Sequence, residues 1–232
     1  MSIVVPAVLP SSLEELKEKL ALFARISSVN RIQIDVVDGR FVGPASWPYT
    51  APAELQAMVK RGEMLPRLDC IEYEIDLMCL DAADAAAAWL ALGATRLTFH
   101  AETATDLPKF MATVRRDYGG VVSFGLAINI ASDLALIEPC LDDIDYVQFM
   151  GIAKIGRQGQ PFDRRVLEKV RVFRIRHPDI IVQVDGGLSL PSARQLIALG
   201  VSNIVIGSGI LKAKNPAAAV AAFEDLKGPY GV

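Results

Sequence analysis

Short apolar runs alternate with helical patterns from one end of the 232-residue chain to the other. IVVPAVL (3–9) is nearly continuous in apolar residues, the pattern of a strand covered on both faces. Behind it, Ser11 or Ser12 offers an N-cap, carboxylates follow, and Leu13, Leu16, Leu20 and Phe23 recur on one helical face. RIQIDVVD (31–38) predicts a second strand and 51–61 its helix. DCIEYEIDLM (69–78) alternates strictly and predicts a third, with an Ala-rich helix over 81–92. RLTFHA (96–101), VVSFGLAI (121–128), DYVQFM (145–150), IIVQVD (180–185) and NIVIG (203–207) complete a set of eight strands. Helical patterns separate them near 106–117, 132–140, 163–176, 190–199 and 216–226. Gly93, Gly119, Gly120 and Gly200 stand just before strands, where glycine ends the preceding helix.

Eight β–α units with no long insert predict a closed parallel sheet, a single-domain (β/α)8 TIM barrel over residues 1–232. A doubly wound open sheet is the alternative topology. The length suits one large core, and nothing in the sequence marks a linker or a low-complexity tract. A formal net charge of -3 gives no electrostatic reason to expect nucleic acid or an anionic membrane as partner. No apolar run reaches the ~20 residues of a membrane span. MSIVVPAVLPSSLEEL lacks a basic region before its apolar run and reads as a strand, not a signal peptide. Cys70, Cys79 and Cys140 lack metal-site spacing and are expected to be buried thiols in a reducing compartment, which places the chain in the cytoplasm.

The chemistry gathers at the strand ends. Barrel strands should present apolar side chains, and catalysis in this architecture uses the C-terminal ends and the loops after them. Asp35, Asp76 and Asp185 lie at three such ends, Gln33 shares a face with Asp35, and His100 closes the fourth strand. Each aspartate also has a structural reading as a turn or helix cap, and His100 has one as a backbone-bonded core histidine. His177, before Pro178 at a helix end, reads as surface. Carboxylates converging in a desolvated cup raise one another's pKa, so a cation or a shared proton must offset them. Oxygen-only ligands favour Mg or Mn over Zn; nothing calls for an organic cofactor.

Two glycine turns close the chain. VDGGL (184–188) and IGSGI (206–210) follow the last two strands, where this fold holds phosphate, and glycine lets backbone N–H groups approach an anion. The loop GIAKIGRQGQPF (151–162) carries Lys154 and Arg157 and is long enough to cover a ligand as a flap. Lys154 is either solvated or a Schiff-base candidate.

Six blocks in order, IQIDVVDGRFV (32–42), EIDLM (74–78), FHAE (99–102), QFMGIAKIGRQGQPF (148–162), VQVDGGL (182–188) and IVIGSGI (204–210), make the chain resemble the ribulose-phosphate 3-epimerases. The resemblance implies proton exchange at C3 of a pentulose 5-phosphate, with Asp35 and Asp185 as the acid/base pair. It implies a metal, for which Asp35, Asp76 and Asp185 are the carboxylates at hand. Phosphate would rest on Gly186, Gly187, Gly207 and Ser208, with Gly156 and Gly159 in the covering loop. A homo-oligomer is implied as well. Gln33 and Asp76 stand where the family has metal-binding histidines, Ala7 replaces a serine and Val37 a methionine. Three functions follow: a ketose-phosphate epimerase or isomerase, a phosphosugar-binding protein without turnover, and a related lyase using Lys154.

Overall fold

The computed structural model describes residues 2–227. Its strands are β1 (Val4–Val8), β2 (Arg31–Val37), β3 (Glu72–Met78), β4 (Arg96–His100), β5 (Ser123–Ile128), β6 (Tyr146–Met150), β7 (Ile181–Asp185) and β8 (Asn203–Ile206). Each pairs in parallel with the next, and β8 closes on β1. Outside them run α1 (Leu13–Phe23), α2 (Pro52–Lys60), α3 (Ala82–Ala91), α4 (Leu107–Tyr118), α5 (Arg165–Arg176), α6 (Leu190–Ala198), the short α7 (Ser208–Leu211) and α8 (Pro216–Glu224). The chain is a (β/α)8 barrel, as the alternation of runs requires. Helix starts are set locally: Ser12 accepts from Glu15 N before α1, and Ser189 and Ser192 form a reciprocal capping box on α6.

The apolar layer lies between strands and helices. Outward residues such as Ile34, Ile75, Phe149 and Val184 pack with Leu16, Leu20, Trp89 and Phe173 in one buried cluster. Each such side chain contributes about 1.5–3 kcal/mol when buried, so this layer decides the fold. The barrel interior is different. Gln33, Asp35, Glu74, Asp76, Arg96, Thr98, His100, Gln148 and Gln183 are all buried, while Val5, Ala7 and Val205 form a small apolar island. Period-two alternation puts polar groups inside and apolar ones outside, and register aligns them: Gln33 with Glu74, Asp35 with Asp76, Gln148 with Gln183. Gly125 on β5 makes room, since a Cβ there would fall 2.2 Å from the Tyr146 ring.

Three local expectations are corrected. Residues 132–140 do not form an α-helix but two 3-10 segments, Leu134–Leu136 and Glu138–Asp143. Pro139 lacks an N–H and disfavours α geometry at Glu138, so the longer helix cannot propagate. Cys79 and Cys140 are buried, but Cys70 is exposed, because it lies in the turn before β3 and not in the strand. His177 is part-buried, its ring 4.8 Å from that of Phe173. No helix among the described residues is long and apolar enough to cross a membrane.

Candidate active site

The carboxylates of Asp35, Asp76 and Asp185 meet near the C-terminal strand ends, one oxygen of each within 4.8 Å of the others. Asp35 and Asp76 are buried, and Asp185 opens partly to a cavity. Burial, and after it the charge of Asp76, raises Asp35 well above the ordinary carboxylate range; the hydrogen bond from Gln33 acts the other way. Asp185 is raised too, by burial and then by Asp35 and Asp76, against Gln33 and His100. A cup of this kind holds a proton or attracts a cation.

A layer of amides beneath the rim sets how the aspartates are held. Gln33 Nε2 donates to Asp35 Oδ1 at 2.8 Å and Asp185 Oδ2 at 3.2 Å, bridging the two carboxylates. Gln148 Nε2 donates to Asp76 Oδ2 at 2.9 Å. Both amides are turned by Gln183, whose Nε2 lies 3.3 Å from Gln33 Oε1, 2.8 Å from Gln148 Oε1 and 2.5 Å from Glu74 Oε1. The opposite rotamer would aim Gln183 Oε1 at three oxygen acceptors, so the orientation is forced. Gln33 and Gln148 therefore show N–H groups, not oxygens, to the rim. Glu74 is balanced from below by Arg96 Nε at 3.1 Å and Thr98 Oγ1 at 3.1 Å. His100 Nε2 lies 3.0 Å from Asp76 Oδ1. Burial pushes the His100 pKa down, but the charge and hydrogen bond of Asp76, with the charges of Glu102 and Asp185, together outweigh it and the net shift is upward.

Asp35 and Asp185 line one cavity together with Gly156, Gly159, Gly186, Gly187, Gly207 and Ser208, so the structure brings all eight residues to one place. Asp76 joins them through the carboxylate cluster. Gly187 takes a φ of +70°, and a Cβ there would fall 2.7 Å from Phe162 N, so the turn after β7 needs glycine. Arg157 lines the cavity but sends its Nε to Gly43 O at 3.0 Å; Lys154 is exposed and outside the lining.

The Ribulose-phosphate 3 epimerase family model matches residues 3–211. The chain belongs to that family. It is 29% identical over 232 residues to the ribulose-phosphate 3-epimerase of Mycobacterium leprae, covering 97% of this chain and 95% of that one. Identity to the Escherichia coli K12 ribulose-phosphate 3-epimerase is 26% over 223 residues, covering 90% and 88%. Among solved structures, 3-hexulose-6-phosphate synthase from Salmonella typhimurium superposes with a TM-score of 0.69 at 15% identity, covering 97% of this chain and 98% of that one. KGPDC from Streptococcus mutans gives 0.67 at 18%, covering 97% of each chain. Those two likenesses establish the shared barrel alone.

The donors at the rim are carboxylates and amides. Gln33 and Asp76 stand where the resemblance implies histidines, and His100 Nε2 lies against Asp76. The cluster is all oxygen, the ligand chemistry of hard divalent ions. Gln148, Gln183 and Glu74 were not singled out from the sequence. The signal was there: Gln33, Gln148 and Gln183 each stand two residues before Asp35, Met150 and Asp185 in IQID, VQFM and VQVD.

Proposed function

We propose that this epimerase-family chain inverts a phosphorylated ketose at the carbon next to its carbonyl, with ribulose 5-phosphate and xylulose 5-phosphate as the first pair to test. The observation that carries the reading is the Asp35–Asp185 pair, desolvated and bridged by the Gln33 amide in a cavity shared with two glycine turns. Mutual repulsion favours one neutral and one ionised carboxyl at neutral pH. Inversion needs that state. The carboxylate takes the proton from one face of the carbon, and the carboxylic acid returns one to the other face. Afterwards the two groups have exchanged protonation, so the reverse reaction begins from the opposite assignment.

Asp35, Asp76 and Asp185 would hold Mg or Mn, which when bound supplies positive charge for the oxygens of the ene-diolate. No organic cofactor enters the reading. Backbone N–H groups of Gly186, Gly187, Gly207 and Ser208 would hold the phosphate, with Gly156 and Gly159 in the covering loop. The free space there, about 60 Å³, has room for on the order of five waters, which supports a loop 151–162 that moves aside to admit a sugar phosphate. Lys154, exposed and away from the lining, gives imine-based lyase chemistry no foothold. We also read the protein as a cytoplasmic homo-oligomer acting on a small phosphosugar, with no nucleic-acid or membrane partner; light scattering on the purified protein tests the assembly.

The occupation of both histidine positions by Gln33 and Asp76 favours a second reading, a phosphosugar-binding protein without turnover. A coupled assay on pentulose and hexulose phosphates, with Mg, with Mn and after chelation, separates the two. Product formation supports the epimerase, and tight sugar-phosphate binding with no product under any condition supports the second reading.

A further inference from the structure

One side-chain donor of the covering loop is buried and has no hydrogen-bond partner among the described residues. Loop 151–162 is fastened on its outer side: Gly156 packs so closely on the segment after β2 that a Cβ would fall 2.8 Å from Val42 Cγ2, and Arg157 Nε donates to Gly43 O at 3.0 Å. With Arg157 drawn outward, the next residue, Gln158, turns inward and lines the cavity. Its carboxamide lies against the turn after β8, where a Cβ on Gly207 would fall 2.7 Å from Gln158 Nε2 and 3.2 Å from Cδ. That Nε2 is buried and has no hydrogen-bond partner among the described residues. A buried amide donor left unpaired is unfavourable by about 1–3 kcal/mol, so its position calls for an acceptor that arrives with the ligand.

We propose that Gln158 is a phosphate-binding residue: its Nε2 donates to an oxygen of the substrate's phosphoryl group, adding a side-chain donor to the backbone turns at 186–187 and 207–208. This rests on reading those turns as the phosphate end of the cavity. The location favours phosphate over sugar as acceptor, because Nε2 lies against Gly207 in the turn after β8. A primary amide suits a dianion, offering two N–H donors and no charge to desolvate. Arg157 spends its Nε on Gly43 O, so the buried donor that the loop offers the anion is a neutral one.

The test titrates the intact protein with inorganic phosphate, ribulose 5-phosphate and unphosphorylated ribulose by calorimetry, for wild type, Gln158→Ala, Gln158→Met and Gln158→Glu. Thermal unfolding is recorded without ligand and with phosphate. Losing one hydrogen bond to a charged group should weaken both phosphate-bearing probes about tenfold or more in the Ala and Met variants. Gln158→Glu, which sets a carboxylate against the dianion, should weaken them further. Ligand-free unfolding should stay at the wild-type temperature or rise, since an unpartnered donor is removed, whereas a structural glutamine would lower it. In turnover, KM should rise with kcat kept within about threefold, the pattern of uniform binding. Wild type failing to bind either phosphate-bearing probe overturns the phosphate reading of the turns and this proposal with it. Wild type binding while all three variants bind equally well overturns the Gln158 assignment alone. So does an equal loss of affinity for unphosphorylated ribulose, which would move the contact to the sugar.

Discussion

Asp35 and Asp76 are direct register partners across the β2–β3 ladder, two buried carboxylates side by side near the strand ends. Where the resemblance implies an imidazole at the second position, this chain sets a second carboxylate. The Asp76 charge works against the ionisation of Asp35. The structure answers with donors: His100 and Gln148 on Asp76, Gln33 on Asp35.

Asp76→Asn removes the largest charge acting on Asp35 and one of the two carboxylate charges acting on Asp185. Both pKa values should fall. The limb of the pH profile of kcat/KM that reports the ionising carboxylate should shift to lower pH, with activity at neutral pH reduced as less of the neutral acid remains. An unmoved profile would mean that Asp76 does not act on the pair.

Asp35→Asn and Asp185→Asn each remove one partner in proton transfer. Activity should fall by about 10²–10⁴-fold in either variant, the usual share of one general acid or base. Stability should hold or rise, since the amide keeps the shape and sheds a charge whose burial is unfavourable. Turnover measured beside thermal unfolding separates loss of chemistry from loss of fold.

The raised carboxyls also fix how stability depends on pH. Folded-state pKa values of Asp35 and Asp185 stand above the ordinary 3.8, so in that interval the folded protein binds more protons than the unfolded chain. Their contribution is fully present below the ordinary value and is lost as pH rises through the raised ones. For chelated protein the unfolding temperature should therefore fall as pH rises from the ordinary 3.8 through the raised values. The Asp35→Asn/Asp185→Asn double variant should flatten that decline. Mg or Mn should oppose it most at the higher pH, because only the ionised rim binds a cation well.

Gly187→Ala tests the turn after β7. At φ +70° and with Phe162 N 2.7 Å from the added Cβ, strain and overlap coincide. The expected loss is about 2–5 kcal/mol in denaturant unfolding, together with weakened phosphate binding. Gly62→Ala is the control: φ is +64° there, but no atom lies within 4 Å of the Cβ, and about 1 kcal/mol is expected.

The barrel and the three aspartates were legible in the sequence because both write themselves in local pattern. Apolar runs alternate with helical spacing, and a carboxylate at the end of a buried strand has few structural uses. Segment 132–140 misled because Leu134, Leu136 and Ile137 suggest a helix that Pro139 cannot continue. Cys70 misled because its residue type is usually buried, while its turn is not. The pairs Glu74–Arg96 and Gln183–Gln33 were invisible for a different reason. Glu74 meets Arg96, 22 positions on, only through the β3–β4 register, and Gln183 meets Gln33, 150 positions away, only when the barrel closes. The role of Gln158 depends on where Arg157 points, which spacing does not reveal.

Exchange of a carbon-bound proton of a ketose phosphate by Asp35 and Asp185 is the step on which the proposed function stands. Incubating ribulose 5-phosphate with the protein in deuterated water, with Mg, with Mn and after chelation, and following C3 by NMR tests it directly. The expected result is deuterium at C3 with xylulose 5-phosphate accumulating, both abolished in Asp35→Asn and Asp185→Asn. Retention of hydrogen at the carbon beside the carbonyl of every ketose phosphate tried, by folded protein that binds them, would contradict it.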